Sequence, residues 1–404
     1  MIETILLTVL IARTTWRIFL EVLNLLHSTS PKVDIPEVLK DKFTPELLEK
    51  SKQYLKDRTK LTILSETTRL VVTIYLVLQG LPRLERLFLA YSPLLQAFLF
   101  FGALGLIFYL VNFPFRLYSI FVIENKYGFN TATKRTFLMD QTIAVSLIVA
   151  FSAFLIPVLL WLLKHQIWWW QASILTFVFI LFFWFIQPTL IAPLFYKFTE
   201  LEDEGLKLKI RELIQRSSAK IPKIYVMNAS KRTKKQNAYV TGIGRSRRLV
   251  LYDTIMNYPS DELLAVVAHE LGHHVKKHIQ KDVILFSIYA TFLLYLTNFV
   301  YQLILKIHAF DVQRPHTIFV YSFLFVSTIS YFLEPLVNYL SRKMEYEADR
   351  FSIELLKNPA GMISALKRLV KENLSNPNPH PLYKLWYYSH PAPEERIKAL
   401  SRAQ

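Results

Sequence analysis

The sequence has 404 residues, of which 52% are hydrophobic, and its mean hydropathy is +0.27. The apolar residues concentrate in long blocks, which places the protein in the membrane class. There is no cysteine, so disulfides, thiolate catalysis and thiolate metal ligands are excluded. The formal net charge of +17 is typical of basic cytoplasmic loops in a membrane protein, and no nucleic-acid partner is expected.

Seven stretches are candidates to cross the bilayer, since a helix needs roughly 20 mostly apolar residues to span the hydrocarbon core. They lie near residues 4–26, 61–80, 92–113, 139–163, 168–191, 283–305 and 317–340. The fifth opens with Trp168, Trp169 and Trp170, an aromatic belt typical of the membrane interface. The N-terminus lacks the basic region and cleavage site of a secretory signal, so we expect the first stretch to be a retained span.

Charged residues interrupt three of the predicted spans. They are Arg13, Arg17 and Glu21 in the first, Glu66 and Arg69 in the second, and Glu334 in the seventh. Arg17 and Glu21 are four residues apart, the spacing of an ion pair within one helix. Glu66 and Arg69 are three apart, and the same pairing is open to them. Such groups also line bundle interiors and water-filled cavities, and the two interpretations are compatible.

The loops differ in their content of Lys and Arg when successive loops are assigned to alternate sides. The first, third and fifth loops are basic, whereas the opposite loops are short and hold only Arg83, Arg86, Lys164, Lys306 and Arg314. By the positive-inside rule, the N-terminus is outside or lumenal, and the basic loops and the C-terminus are cytoplasmic. The sequence leaves open whether the membrane is a plasma or inner membrane or the endoplasmic reticulum.

Four segments follow from this topology. Residues 1–194 form an N-terminal membrane domain with five spans and a basic cytoplasmic loop. Residues 195–281 form a catalytic segment, 282–340 two further spans, and 341–404 a second, C-terminal catalytic segment. Both catalytic segments are expected on the cytoplasmic side.

The first catalytic segment has a mixed helix and strand pattern. It predicts a helix over 204–216, a strand over 223–227, strand-like runs around 238–240 and 249–252, and a helix from Ser260. Ser260, Asp261 and Glu262 are a plausible N-terminal cap for that helix. We therefore expect a small sheet beside the last helix.

That last helix contains the run His269, Glu270, Leu271, Gly272 and His273. Residues four apart lie on one helix face, so His269 and His273 can bind one zinc ion. Glu270 is placed to reach a zinc-bound water, take its proton and deliver it to the leaving amine. The alternative is a helix face with incidental histidines, although the helix is apolar enough for burial, where unpaired charges are costly.

A catalytic zinc site needs a third protein ligand, which must be His, Asp or Glu in this chain. The best candidate run follows the seventh span and contains Glu345, Glu347 and Asp349. Glu345 and Asp349 are four apart, so one can bind zinc while the other hydrogen-bonds a ligating histidine. Glu347 lies on another face. Taken alone, the run is also compatible with an exposed acidic helix start.

Three features together resemble the CAAX prenyl protease 1 family of multispanning, gluzincin-type zinc peptidases. They are the His269 to His273 motif, the Glu345 to Asp349 spacing, and the ending His390-Pro391-Ala392-Pro393-Glu394-Glu395-Arg396-Ile397. The runs at 121–130 and 237–239 also resemble family sequence, so the similarity covers nearly the whole chain.

The resemblance implies a role for each matching residue. It implies His269, His273 and Glu345 as ligands of one zinc per chain, Glu270 as base, Asp349 as support for a ligand, His390 and Arg396 near the developing oxyanion, and Asn237 with Ala238 at the substrate backbone. Residue chemistry alone leaves His390 and Arg396 open to a structural role, and Asn237 to a role as a turn residue.

The expected fold is mainly α and integral to the membrane, with about seven transmembrane helices and a small cytoplasmic α+β zinc-peptidase domain. The resemblance also implies an intramembrane chamber. The leading hypothesis is a zinc endopeptidase for membrane-associated peptide or protein substrates, which releases the last three residues after a prenylated cysteine. The alternatives are a quality-control peptidase with no prenyl requirement and, outside the enzymes, a seven-span transporter or channel.

Overall fold

The computed structural model describes residues 2–242, 244–307 and 314–402. Its fold is mainly helical, as predicted, with one small sheet. The helices of the first half are α1 (Ile2–Thr29), α2 (Pro45–Tyr75), α3 (Leu81–Leu87), α4 (Pro93–Tyr118), α5 (Lys134–Leu162), α6 (Trp168–Ile186) and α7 (Ala192–Phe195).

Three π-helical segments continue these helices without a break. They are Leu76–Gly80 between α2 and α3, Ser119–Glu124 after α4, and Gln187–Ile191 between α6 and α7. The helical runs therefore extend beyond the predicted spans, as in Pro45–Leu87 with 43 residues and Pro93–Glu124 with 32. Part of the predicted first and third loops is thus helical.

The second half contributes eight helices and the sheet. The helices are α8 (Glu204–Arg216), α9 (Ser260–Val275), α10 (His278–Ile307), α11 (Pro315–Ser330), α12 (Glu334–Leu356), α13 (Ala360–Glu372), α14 (Pro381–Tyr387) and α15 (Pro393–Ser401). The strands are β1 (Phe198–Glu200), β2 (Lys223–Met227), β3 (Ala238–Thr241) and β4 (Arg248–Tyr252). The predicted helix and strands of residues 204–252 are all present, and β1 is an addition.

Six helical segments among the described residues are long and apolar enough to cross a membrane. They are Pro45–Leu87, Pro93–Glu124, Lys134–Leu162, Trp168–Phe195, His278–Ile307 and Pro315–Leu356. The predicted first span forms α1, which has 28 residues but contains the charges of Arg13, Arg17 and Glu21. The predicted count of seven is therefore approximate.

A buried carboxylate in α2, that of Glu66, forms ion pairs with arginines of the membrane helices. The Glu66 side chain is only 2% exposed, and Arg13 and Arg17 of α1 approach it to 3.7 and 3.3 Å. Arg69 pairs with Glu66 within α2, as predicted. The predicted pairing of Arg17 with Glu21 is replaced by this contact between helices. A buried charge is stable only with a close opposite charge, and the three arginines supply it to Glu66.

The sheet has the order β1-β2-β4-β3, in which β2 and β4 are parallel and the other pairs are antiparallel. The strand β3 is therefore at an edge of the sheet, and α9 packs beside it. Leu263, Val267 and Leu271 of α9 are almost fully buried in one core with Leu249 and Leu251 of β4. This core fixes the face that α9 turns toward the C-terminal helices.

The predicted side-chain cap is absent at the described start of α9. The helix begins at Ser260 as expected, but the residue before it, Pro259, caps it without a side-chain hydrogen bond. Instead, Glu262 accepts hydrogen bonds from Arg368 at 2.5 Å and from Ser364 at 2.7 Å, both on α13. A charge-assisted contact with a neighbouring helix thus replaces the local cap.

Candidate metal centre

His269 and His273 lie on consecutive turns of α9, and their Nε2 atoms are 3.1 Å apart. The Glu345 carboxylate of α12 lies beside both rings. Its Oε1 is 3.2 Å from His273 Nε2, and its Oε2 is 3.5 Å from His269 Nε2. One donor atom from each of the three residues lies within 4.8 Å of the others. The structure thus brings the three predicted ligands together, although Glu345 is 72 positions after His273 in the sequence.

Close packing of two helices makes this approach possible. A Cβ added to Gly272 would be 3.1 Å from the Cα and the carbonyl oxygen of Ala348, tighter than an ordinary contact. One turn further along α12, Ser352 donates a hydrogen bond to the carbonyl of Ala265, which is about two turns before Gly272 in α9. The HExxH pattern assigns no role to Gly272, although a glycine inside a buried helix is a signal of close backbone approach.

The Nδ1 atom of His269 faces away from Glu345 and is 2.9 Å from Asp349 Oδ1. Arg396 of α15 in turn donates two hydrogen bonds to Asp349, 2.8 Å from Nε to Oδ2 and 2.6 Å from Nη2 to Oδ1. Asp349 and Arg396 are both buried. This arrangement fixes the His269 ring with Nδ1–H donating, so that its Nε2 lone pair points toward Glu345.

The other ring nitrogen of His273 also has a partner, which the sequence did not predict. Its Nδ1 is 3.0 Å from the Nδ1 of His278, the first residue of α10. The turn before α10 places Lys277 in the left-handed region, with φ of 57°. That turn brings His278 back toward α9 although it is five residues from His273, a spacing that a continuous helix would not place on one face. A histidine-rich run was the only sequence signal.

These donors fit a divalent cation. An imidazole lone pair and a carboxylate that converge within 3.5 Å repel one another unless a bound proton or a metal ion lies between them. Two imidazoles and one carboxylate are also the protein ligand set of one group of catalytic zinc sites, which leave a further position open. The residues therefore suit a metal with nitrogen and oxygen ligands.

Glu270 faces a cavity of about 530 Å³ beside the ligands. Burial raises the pKa of its carboxyl above the usual range, and nearby positive charge would oppose that rise. A carboxyl with a raised pKa is better matched to accepting and returning a proton near neutral pH. The arrangement can therefore supply a proton acceptor next to the metal ligands.

The remaining predicted site residues line the same cavity. They are Asn237, Ala238, His390 and Arg396. His390 lies in the loop before α15, with its Nδ1 2.8 Å from Glu345 Oε2 and its side chain 65% exposed. Arg396 is buried, and its Nη1 is 3.6 Å from Glu345 Oε2. Most of the Arg396 donors thus point at carboxylates rather than into open space.

Asn237 precedes the edge strand β3, and its Oδ1 accepts a hydrogen bond from the Ala238 amide at 2.9 Å. Its backbone carbonyl accepts a hydrogen bond from the Tyr252 amide of β4. Within the described chain, β3 pairs with β4 on one side only. Its other side is the edge to which an extended peptide could add as a further strand.

Two family models and several known proteins match this chain over nearly its full length. A family model described as CAAX prenyl protease N-terminal, five membrane helices, matches residues 24–197, and one described as Peptidase family M48 matches residues 200–404. CAAX prenyl protease 1 of Saccharomyces cerevisiae is 31% identical over 91% of this chain and 88% of the yeast protein. An uncharacterized metalloprotease of Bacillus subtilis is 33% identical over 75% of this chain and 73% of its own length.

The fold agrees with a solved structure as well. The crystal structure of Ste24p from S. mikatae matches with a TM-score of 0.90 at 29% identity, covering 99% of this chain and 98% of that one.

Proposed function

Because this chain belongs to peptidase family M48, we propose that it is a zinc-dependent endopeptidase that removes the C-terminal tripeptide from prenylated proteins. Family membership and the membrane helices make it a membrane metallopeptidase, and a transporter or channel is not favoured. The observation that carries the proposal is the convergence of His269, His273 and Glu345 beside Glu270.

Zinc, when held by these three residues, would lower the pKa of a coordinated water and polarise the scissile carbonyl. Glu270 is the proposed proton acceptor, and it returns the proton to the amine that leaves. His390 lines the same cavity as Glu270 and its side chain is exposed, so we assign it to the developing negative charge on the carbonyl oxygen. Arg396 contributes its charge mainly through Asp349 and Glu345.

The substrate backbone is proposed to lie along the edge strand β3. Asn237 and Ala238 line the cavity and mark the end of that strand nearest Glu270. A peptide that adds to a sheet edge is held by main-chain hydrogen bonds, which do not depend on its sequence. Such binding suits an enzyme whose substrates share a position relative to the C-terminus rather than one sequence.

Orientation in the membrane is part of the proposal and follows from loop charge. We expect α9, the sheet and the C-terminus on the cytoplasmic side, in a plasma or inner membrane or in the endoplasmic reticulum. Since the chain has no cysteine, single cysteines can be labelled without background. Cysteines at Thr233 and Ser375 should label only from the cytoplasmic side, and those at Ser92 and Gln166 only from the outside. A reversal of either pair would overturn the orientation.

The prenyl group can be tested with one peptide made in two forms, farnesylated and plain. Burial of an isoprenoid contributes several kcal/mol at about 25 cal/mol per Å² of apolar surface, so the farnesylated form should have a much lower KM. Binding shared by ground and transition states leaves kcat nearly unchanged. Products identified by mass spectrometry should include the released tripeptide. Equal kcat/KM for the two forms would remove prenyl recognition and favour a quality-control peptidase with no prenyl requirement.

A further inference from the structure

A chain of three side chains leads from a proposed metal ligand to the protein surface. His273 Nδ1 is 3.0 Å from His278 Nδ1, and His278 Nε2 is 2.9 Å from Glu347 Oε2. Lys281 Nζ is 3.3 Å from the same Glu347 oxygen. The mechanism proposed above uses neither His278 nor Glu347. Both contacts are nevertheless at hydrogen-bond distance, so each needs a physical account.

The positions of the protons follow from the geometry. His273 turns its Nε2 toward His269 and Glu345, so a metal would take that lone pair and leave the proton on Nδ1. His273 Nδ1–H then donates to His278 Nδ1, which must be unprotonated to accept. A neutral His278 carries its proton on Nε2, where the Glu347 carboxylate accepts it. Every nitrogen in the chain therefore has one consistent role.

Because the His278 ring is buried, both of its nitrogens need hydrogen-bond partners. The His278 side chain is 2% exposed, so an unpaired ring nitrogen would be costly. The Glu347 side chain is 47% exposed and belongs to a different helix, α12, whereas His278 belongs to α10. The carboxylate therefore reaches in from a solvated face to a buried imidazole. Its contact orients the ring, which in turn orients His273.

We propose that His278 and Glu347 are positioning residues for His273, and that they fix the tautomer and the ring orientation in which His273 binds the metal. This inference rests on the proposed metal site. It gives the two histidine ligands separate supports. His269 is held by Asp349 and Arg396, all buried. His273 is held by a chain that ends at an exposed carboxylate.

The test compares variants of the full-length protein in detergent, with zinc affinity measured by chelator competition and the visible spectrum recorded after loading with Co²⁺. Loss of an outer partner of a ligating histidine typically costs 10 to 100-fold in metal affinity. His278→Leu should therefore bind zinc about 10 to 100-fold more weakly and shift the Co²⁺ bands. His278→Asn places a carbonyl oxygen near the Nδ1 position, can still accept from His273, and should recover much of the loss.

Two variants on α12 complete the design. Glu347→Ala should weaken zinc binding in the same direction but less, because His278 stays in place, and it carries the test if His278→Leu does not fold. Glu354→Ala is the matched control, since Glu354 is an exposed carboxylate two turns further along α12. It should bind zinc like the wild type.

The outcomes separate the inference from the function on which it rests. Wild-type zinc affinity and Co²⁺ spectra in both His278→Leu and Glu347→Ala would overturn the positioning role while leaving the metal site intact. Equal losses in His278→Leu and His278→Asn would assign His278 to packing alone and also overturn it. A wild-type protein that binds neither metal would remove the proposed function and this inference together.

Discussion

Two regions of the protein both bury charge. The membrane region comprises α1 to α6 with α10 and α11. The catalytic region comprises α9, the sheet, the second half of α12 and α13 to α15. In the membrane region one carboxylate, Glu66, is shared by arginines of two helices. In the catalytic region Glu345 and Asp349 each meet several nitrogens that a metal or a mechanism can use. Buried charge by itself therefore does not mark a reaction centre. The presence of imidazole nitrogens and an adjoining cavity does.

The largest expected effect of a single change in catalysis is at Glu270. Glu270→Gln removes the proton acceptor and leaves the three metal ligands untouched, so turnover should fall by about 10²-fold to 10⁴-fold. Zinc content should stay at the wild-type level. The measurement is peptide cleavage beside metal analysis of the same sample. Near-normal activity in the purified variant would show that Glu270 is not the base.

A smaller effect is expected at His390, whose side chain is exposed beside Glu345. If His390 stabilises charge that develops during the reaction, His390→Ala should lower kcat by about 100-fold while KM changes little. Zinc content should also change little, because the three ligands remain. An unchanged kcat would return His390 to a structural role.

The smallest effect on catalysis is expected in the membrane region. Glu66→Gln removes the carboxylate that Arg13, Arg17 and Arg69 share, and should destabilise the fold by about 2 kcal/mol. That figure is below the usual cost of breaking a buried pair because the arginines are partly exposed. Thermal unfolding in detergent measures it, and zinc content should be unchanged.

A matched control sharpens the comparison of the two regions. Glu46 is an exposed carboxylate at the start of the same helix, α2, and Glu46→Gln should change stability by less than about 0.5 kcal/mol. If Glu66→Gln lost zinc while remaining folded, the two regions would be energetically coupled rather than independent.

The same comparison shows what the sequence can predict. His269 and His273 lie four residues apart within one helix, as do Glu345 and Asp349, so helical periodicity alone places each pair on one face. The boundaries of α8 and β2 also follow from local pattern, and both match the structure. Local spacing is thus a sufficient guide where the partners share one element.

Contacts between distant elements are not encoded in that way. Arg17 has an acceptable local partner in Glu21, yet it meets Glu66 on another helix, because the packing of α1 against α2 decides the pair. His278 reaches His273 through a left-handed turn at Lys277, which no periodicity indicates. The three-residue strand β1 depends on its pairing with β2. In each case tertiary packing selects among local options that the sequence leaves equal.

Zinc content per chain tests the proposed metal centre in three full-length proteins purified alike: wild type, Glu270→Gln and Glu345→Ala. His269, His273 and Glu345 are proposed to hold the metal and Glu270 is not, so the first two should contain about one zinc per chain. Glu345→Ala should lose it, because two imidazoles alone leave the site with too few ligands. Full zinc in Glu345→Ala, or a wild-type protein that cleaves peptide without metal, would contradict the proposed centre.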